Sequence, residues 1–405
     1  MSQTMTSERG QRTDSKTYKN YIGGRWVESK SGRTFTSTNP AHKDEVLGVM
    51  QASTGEDVNA AIEAAQKAFP GWRHTPAPTR GEICLKAGLI VQERKEELAR
   101  LMTQEMGKVL KEARGDVQEA IDMAKYAAGL GRHPHGETVP SELRNKWCMT
   151  ERVPLGVVAC ITPWNFPMAI PSWKIFPAVM AGNAVVFKPA SDTPIIATKL
   201  VEIFEEAGLP GGVLNLVTGS GSDVGDVLVR DPRVQGISFT GSTAAGKHIA
   251  EIAGRNLKRL GLELGGKNAI VVLDDADLPL AVDGALWAAF GTSGQRCTAA
   301  SRLIVDKKIE NRENHLKTMR QHMRHAAPPA IFHVVMNRMI VAAGGLEGGE
   351  QRVRHGPARQ HEALAEREIL KPAVVEAAVP RRVERLGHWP TPEARKAPLI
   401  ACCMR

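Results

Sequence analysis

Long apolar spans are missing from this chain: no uninterrupted run approaches the roughly 20 residues that cross a bilayer. The amino terminus, "MSQTMTSERGQRTDSKT", lacks the apolar stretch of a secretory signal and reads as a disordered lead-in over residues 1–17. The six cysteines, at 84, 148, 160, 297, 402 and 403, follow neither a zinc-ligand spacing nor a small disulfide scaffold. No metal site is expected, and a reduced, cytoplasmic compartment is the simplest reading. Aspartate is absent from Asn311 onward, and Phe and Tyr nearly vanish there.

What is present is ordinary for a globular protein. Apolar residues make up 42% and charged residues 24% of the 405, enough for two or three domains with a buried core. The net charge of +9 first suggests a polyanion partner. Its placement argues otherwise. From Asn311 to Arg405 there are 16 Lys and Arg against 9 Glu, which puts +7 in the last quarter and leaves the body near neutral. No nucleic-acid-binding signature appears in that body.

Tyr18 to Ser29 predicts a hairpin turned by Gly23-Gly24. Thr54 to Phe69 predicts a helix that Thr54 can cap, and helical spacing continues so that the first 130 residues are expected to be mostly helical. The character then changes. "GVVACITPWNFP", "NAVVFKPAS", "GVLNLVTG", "VQGISFTGS" and "KNAIVVLDDAD" are short β-rich runs, several of them separated by helical stretches. That alternation predicts an α/β fold with a mostly parallel sheet. Ligands then collect at the carboxyl ends of the strands.

Five stretches carry residues suited to chemistry, and each has a plain structural alternative. Gly241 and Gly246 flank Ser242 and Thr243 between a strand and a helix, as a phosphate loop or as a glycine turn with a capped helix. Lys188 ends a strand, where it reaches ribose hydroxyls or is a surface lysine. Glu263 lies among apolar and glycine residues, where desolvation suits it to proton transfer, or it is a buried structural acid. Cys297 is a nucleophile or an inert core thiol. Asn165, between two prolines, is a rigid oxyanion donor or a turn-stabilising amide.

In order and spacing, "PLGVVACITPWNFP", "PAVMAGNAVVFKPAS", "FTGSTAAGK", "LELGGKN" and "GQRCTAASR" resemble the NAD(P)-dependent aldehyde dehydrogenase superfamily, including the 34-residue interval from Glu263 to Cys297. The resemblance runs over about residues 18–306 and is nearest to bacterial semialdehyde dehydrogenases. It implies a Rossmann-like coenzyme-binding domain at 18–264, with an oligomerisation hairpin near 135–153, then the start of an α/β catalytic domain at 265–308. It implies that Cys297 attacks an aldehyde, such as 2,5-dioxovalerate or succinate semialdehyde, and carries a thioester to the acid. Asn165 and the Cys297 N–H would hold the oxyanion, and Glu263 would activate water. Trp164, Lys188, Ser191, Gly241, Ser242 and Gly246 would border NAD or NADP, with Lys174 in support. Ser191 stands where strict NAD users place a glutamate, so NADP should be tolerated. The partner expected is a small-molecule aldehyde, with no nucleic acid and no membrane; family members form homo-oligomers.

Residues 309–405 depart from that pattern. The family's Glu-Ile-Phe-Gly-Pro motif is echoed only by "EREILKP" (Glu366 to Pro372), which lacks the Phe and Gly. This basic, Arg- and His-rich tail is expected to come from truncation, a shifted reading frame or a gene remnant, leaving strands of the catalytic domain unpaired. The alternative function is then a non-catalytic remnant that at most binds a dinucleotide.

Overall fold

The computed structural model describes residues 15–133, 136–306 and 308–309, and the backbone of 340–341. The tail beyond 309, including "EREILKP", otherwise lies outside the described residues. Chain contacts divide it into two compact units, one of residues 1–266 with 295–297, the other of 267–294 with 298–405.

In the first unit, β1 (Asn20–Ile22) and β2 (Arg25–Val27) form the expected hairpin. Gly24 has φ +82 and passes 2.9 Å from the Gly211 Cα, measured from where its Cβ would sit, so only glycine fits this turn. β3 (Thr34–Asn39) and β4 (His42–Gln51) make a second antiparallel pair. The helical expectation for the first 130 residues holds from Gly55 onward; four strands precede it, two of them the expected hairpin and two, β3 and β4, not foreseen. α1 (Gly55–His74) begins where the Asp57 carboxylate accepts from the Thr54 N–H at 2.9 Å. It continues through Pro70 instead of stopping at Phe69. α2 (Ala77–Glu93), α3 (Lys95–Met106) and α4 (Leu110–Leu130) follow, then the short hairpin β5 (Thr138–Pro140) and β6 (Trp147–Met149), all of whose residues are exposed.

The central sheet is built from β7 (Val157–Ile161), α5 (Ala169–Met180), β8 (Ala184–Lys188), α6 (Pro194–Glu206), β9 (Leu214–Leu216), the short α7 (Asp226–Arg230), β10 (Val234–Gly241), α8 (Thr243–Arg255) and β11 (Arg259–Leu264). Its order is β11-β10-β7-β8-β9-β1-β2, parallel from β11 to β9. Alternate residues of each inner strand face opposite layers. Val158, Cys160, Val185 and Phe187 join the core with α2–α6, while Val157, Ala159, Ala184 and Val186 join the one with α1 and α8. Both faces are covered, which is why these strands are apolar without polar alternation.

In the second unit, β12 (Asn268–Val272), α9 (Leu278–Phe290), β13 (Ala300–Val305) and β14 (Ile340–Val341) give a three-stranded parallel sheet around Val272, Ala285, Leu303 and Ile309. After α9, Thr292, Ser293 and Gly294 all take left-handed backbone, with φ of 54, 54 and 71°. That is a costly run for a β-branched residue and a serine.

The α3–α4 corner carries buried charge. Glu105 accepts from the Ser37 hydroxyl at 2.9 Å and from the Ile195 and Ile196 N–H groups at 2.7 and 2.8 Å, tying β3 to the amino end of α6. Burial pushes its carboxyl up to about 7 against the pull of those bonds.

Two outcomes follow from this packing. Gly88→Ala places a Cβ 2.6 Å from the Ala124 Cβ, across the α2–α4 contact, and an alanine has no rotamer with which to yield. Overpacking of about 1–3 kcal/mol outweighs the gain of about 1 kcal/mol in helix propensity, so the urea midpoint should fall. In Gly115→Ala, where nothing lies within 4 Å, it should rise. The second outcome concerns Glu105. From its ordinary value of 4.5 to about 7 the folded protein keeps a proton that the unfolded chain releases. Stability relative to Glu105→Gln should therefore fall as pH rises through that window, by at most about 3 kcal/mol. A flat difference in unfolding free energy between pH 4.5 and 7 would contradict this.

Candidate active site

The strand order reverses between β7 and β10: from β7 the chain proceeds to β8 and β9 on one side, then returns to β10 on the other. Such a reversal opens a crevice at the carboxyl ends, because the flanking connections leave toward opposite faces. Ile161 of β7 is level with Lys188 of β8 and Phe239 of β10. The loops after these three strands therefore emerge side by side, and they carry most of the sequence-predicted residues.

Lys188 is not a surface lysine. It is 6% exposed, and its Nζ donates to the Pro189 carbonyl at 2.9 Å. Burial lowers its pKa to about 8, against the attraction of Asp192. Ser191 is exposed, and its hydroxyl donates to the Gly219 carbonyl at 3.1 Å, so its proton is already committed. Gly241 is the last residue of β10, and Ser242 caps α8 by accepting from the Ala245 N–H at 3.2 Å. Gly246 lies inside α8, where a Cβ would strike Leu264 at 2.4 Å. Its glycine serves the packing of helix on strand.

Trp164, Ser191, Asp192, Thr193, Ser37 and Glu105 line a cleft of about 370 Å³. A buried cation at the end of β8, a thirteen-residue helix starting from β10 on the other side of β7, and a polar cleft lined by the loops after β7 and β8 suit an anionic dinucleotide.

Asn165 is half-buried in the loop from β7 to α5. Its Nδ2 donates to the Gln295 carbonyl at 2.7 Å. Its Oδ1 is buried and has no hydrogen-bond partner among the described residues. Gln295 is two residues before Cys297, whose side chain is exposed, and this three-residue stretch belongs to the same compact unit as Asn165. The structure thus brings the amide to the cysteine loop across 130 residues of sequence.

Glu263 departs from expectation. It was expected to be desolvated, yet it is exposed: β11 is the outermost strand of the sheet, and its residues alternate between exposed and half-buried. Its charge acts on Lys174, whose Nζ donates to the Ser238 hydroxyl at 3.0 Å and whose pKa is lowered chiefly by burial.

Sequence reasoning passed over Glu105, Lys108 and Asp116, which surround these loops with buried charge. Signals existed. Glu105 is an acid in the last turn of α3, where the helix dipole disfavours it. Asp116 falls on the buried stripe of α4 with Ala113, Val117 and Ala120.

Comparison with known proteins agrees with this geometry. Residues 26–329 match the model of the aldehyde dehydrogenase family. The chain is 45% identical over 300 residues to an alpha-ketoglutaric semialdehyde dehydrogenase of Bacillus subtilis, covering 74% of this chain and 62% of that one. It is 47% identical over 290 residues to a 2,5-dioxopentanoate dehydrogenase of Saccharolobus solfataricus, covering 71% and 60%. Among solved structures, a betaine aldehyde dehydrogenase from Staphylococcus aureus in complex with NAD+ superposes with a TM-score of 0.74 at 38% identity, covering 76% of this chain and 61% of that one. The chain spans about three fifths of the length of the curated relatives it matches. From the family match over three quarters of its residues and these relatives, the chain belongs to the aldehyde dehydrogenase family.

Proposed function

We propose that the protein oxidises an aldehyde to a carboxylic acid with NAD or NADP, through a covalent intermediate on Cys297. The observation that supports this reading is the bond from the Asn165 amide to the Gln295 carbonyl, which ties that amide to the loop carrying the exposed Cys297. Of the two protons on the Asn165 Nδ2, Gln295 takes one, and the other is left to serve a developing oxyanion.

The Cys297 thiolate attacks the aldehyde carbon: a C–S bond forms and the carbonyl electron pair moves to oxygen. Asn165 and the Cys297 N–H hold that oxyanion. When bound, the nicotinamide would supply the two-electron oxidant for the hydride lost from that same carbon. What remains on Cys297 is a thioester. Glu263 takes a proton from water as its oxygen adds to the thioester carbon; the C–S bond breaks, and the acid departs with the thiolate restored. Exposure on the edge strand lets Glu263 return that proton to solvent. Lys188 and the start of α8 would hold the dinucleotide, with Trp164 and Ser191 on the cleft wall.

The substrate class follows the relatives, named for oxidising semialdehydes that carry a carboxylate. 2,5-Dioxopentanoate and succinate semialdehyde are therefore preferred over cationic betaine aldehyde. NADP is accepted because Ser191 is neutral beside the ribose-binding lysine; its proton, given to Gly219, adds no bond to a 2′-phosphate.

Mixing the full chain with a semialdehyde and NAD or NADP should raise reduced-cofactor absorbance, and Cys297→Ser should abolish the signal. Asn165→Ala should lower kcat about 100- to 1000-fold. An unchanged rate in the serine variant would sink the mechanism. Ser191→Glu should lower kcat/KM for NADP by about tenfold or more relative to NAD, since the added carboxylate repels a 2′-phosphate; an unaltered ratio in steady-state kinetics would contradict the assignment of Ser191.

A further inference from the structure

Lys108 and Asp116 form an ion pair of 2.7 Å with both side chains fully buried. Gly107, left-handed at φ +82, ends α3 and turns Lys108 inward beneath α4. Such a pair is weak evidence for stability, because two desolvated charges rarely outdo an apolar replacement of the same volume. The direction at Asp116 agrees: burial pushes its carboxyl up, outweighing the pull of Lys108 and of the Ala169 and Met168 amides. What distinguishes the pair is where its remaining contacts go. The second oxygen of Asp116 accepts from the Ala169 N–H at 2.7 Å. The Lys108 ammonium sits 3.8 Å from the centre of the Phe166 ring. Both lead into one segment, 166–169, which follows directly on Asn165.

Met168 of that segment is buried in the core with α2–α6, but the backbone before α5 has few hydrogen bonds of its own. Between Ile161, the end of β7, and Ala169, the start of α5, the chain crosses seven residues without regular structure. The Thr162 N–H bonds Lys188, the Phe166 and Met168 carbonyls accept from the first turn of α5, and the Thr162 hydroxyl and Asn165 Oδ1 are buried without partners among the described residues. The ring of Phe166 and the backbone of Ala169 are thus held from below by charges 53 to 58 residues earlier in the chain. We infer that the Lys108–Asp116 pair is a positioning device: it clamps the loop from β7 to α5 so that the Asn165 amide meets the cysteine loop. Its catalytic meaning rests on the proposed aldehyde oxidation; the clamp itself does not. A displacement of about 1 Å in such a donor costs on the order of 100-fold in rate.

The test removes both charges at once, in Lys108→Met with Asp116→Leu, because either change alone strands a buried charge. Amide hydrogen exchange is followed by mass spectrometry on the full chain. The expected result is a thermal midpoint close to the parent's, with exchange at least tenfold faster in peptides spanning 162–169 and unchanged in β8 and α2. Unchanged protection of 162–169 in the folded double variant overturns the clamp. If the double variant does not fold, Phe166→Leu, which keeps the ion pair, decides in its place: faster exchange confined to the same peptides supports the clamp, and no change overturns it. Kinetics add a readout that general packing would not move. The double change should lower kcat about 30-fold or more at constant coenzyme KM, and should cost less than about twofold in an Asn165→Ala background. Full additivity of the two losses overturns the clamp. A parent chain that gives no turnover defeats the aldehyde-oxidation reading, and the exchange measurement still decides the clamp.

Discussion

β7 and β8 are buried at every residue, so neither backbone nor side chain meets solvent until the strands end. That constraint organises the rest of the first unit. Helices must cover both faces of the sheet, and polar side chains are confined to the carboxyl ends, where the connections to α5, α6 and α8 begin. Because the strand order reverses beside β7, three of these ends open into one crevice. Asn165, Lys188 and Ser242 share a neighbourhood for that reason, although they are spread over nearly eighty residues of sequence.

Much of this was legible before any coordinates. The apolar runs ending in "TPWNFP", "KPAS" and "TGS" announce buried strands and their exits, since period-two burial on both sides leaves no polar alternation to confuse them. The edge was harder. "RLGLEL" is a strand with one side unpaired among the described residues, and its isolated apolar residues suggested a sheltered acid at Glu263, when alternation in fact turns that acid outward. The β3–β4 pair was missed because its polar, threonine-rich face resembles a loop. Glu105, Lys108 and Asp116 were invisible as a group for a different reason. Glu105 and Lys108 look like ordinary charges near a helix end and Asp116 like a single acid within a helix, and their shared importance lies in bonds to residues 53 to 91 positions away, which local pattern cannot reveal. Cys297 and Asn165 were recognised as motifs, yet only the fold could bring an amide in the first loop to a carbonyl 130 residues later.

In the first unit, unfavourable burial gathers around the loops that follow β7 and β8. The helical layer of α2 to α6 and the inner strands provide a large apolar core. Against it stand a desolvated carboxyl at Glu105, a buried ion pair at Lys108–Asp116 and a buried oxygen on Asn165 that has no partner among the described residues. Each is unfavourable alone, and a domain survives such groups only because apolar burial elsewhere exceeds them. In the second unit, the left-handed Thr292 and Ser293 add backbone strain just ahead of the cysteine loop. Tension of this kind persists where surrounding structure over-determines the geometry.

Lys188 gives this arrangement one more property. An amine that burial has drawn down to about 8 keeps its proton loosely near neutrality. Its charge is conditional on its company: an anion settling beside it restores a firm hold on the proton, while an uncharged occupant leaves the hold weak. Any anion held at the end of β8 would therefore bring a small uptake of hydrogen ions with it, and would be held less firmly as the surroundings become alkaline.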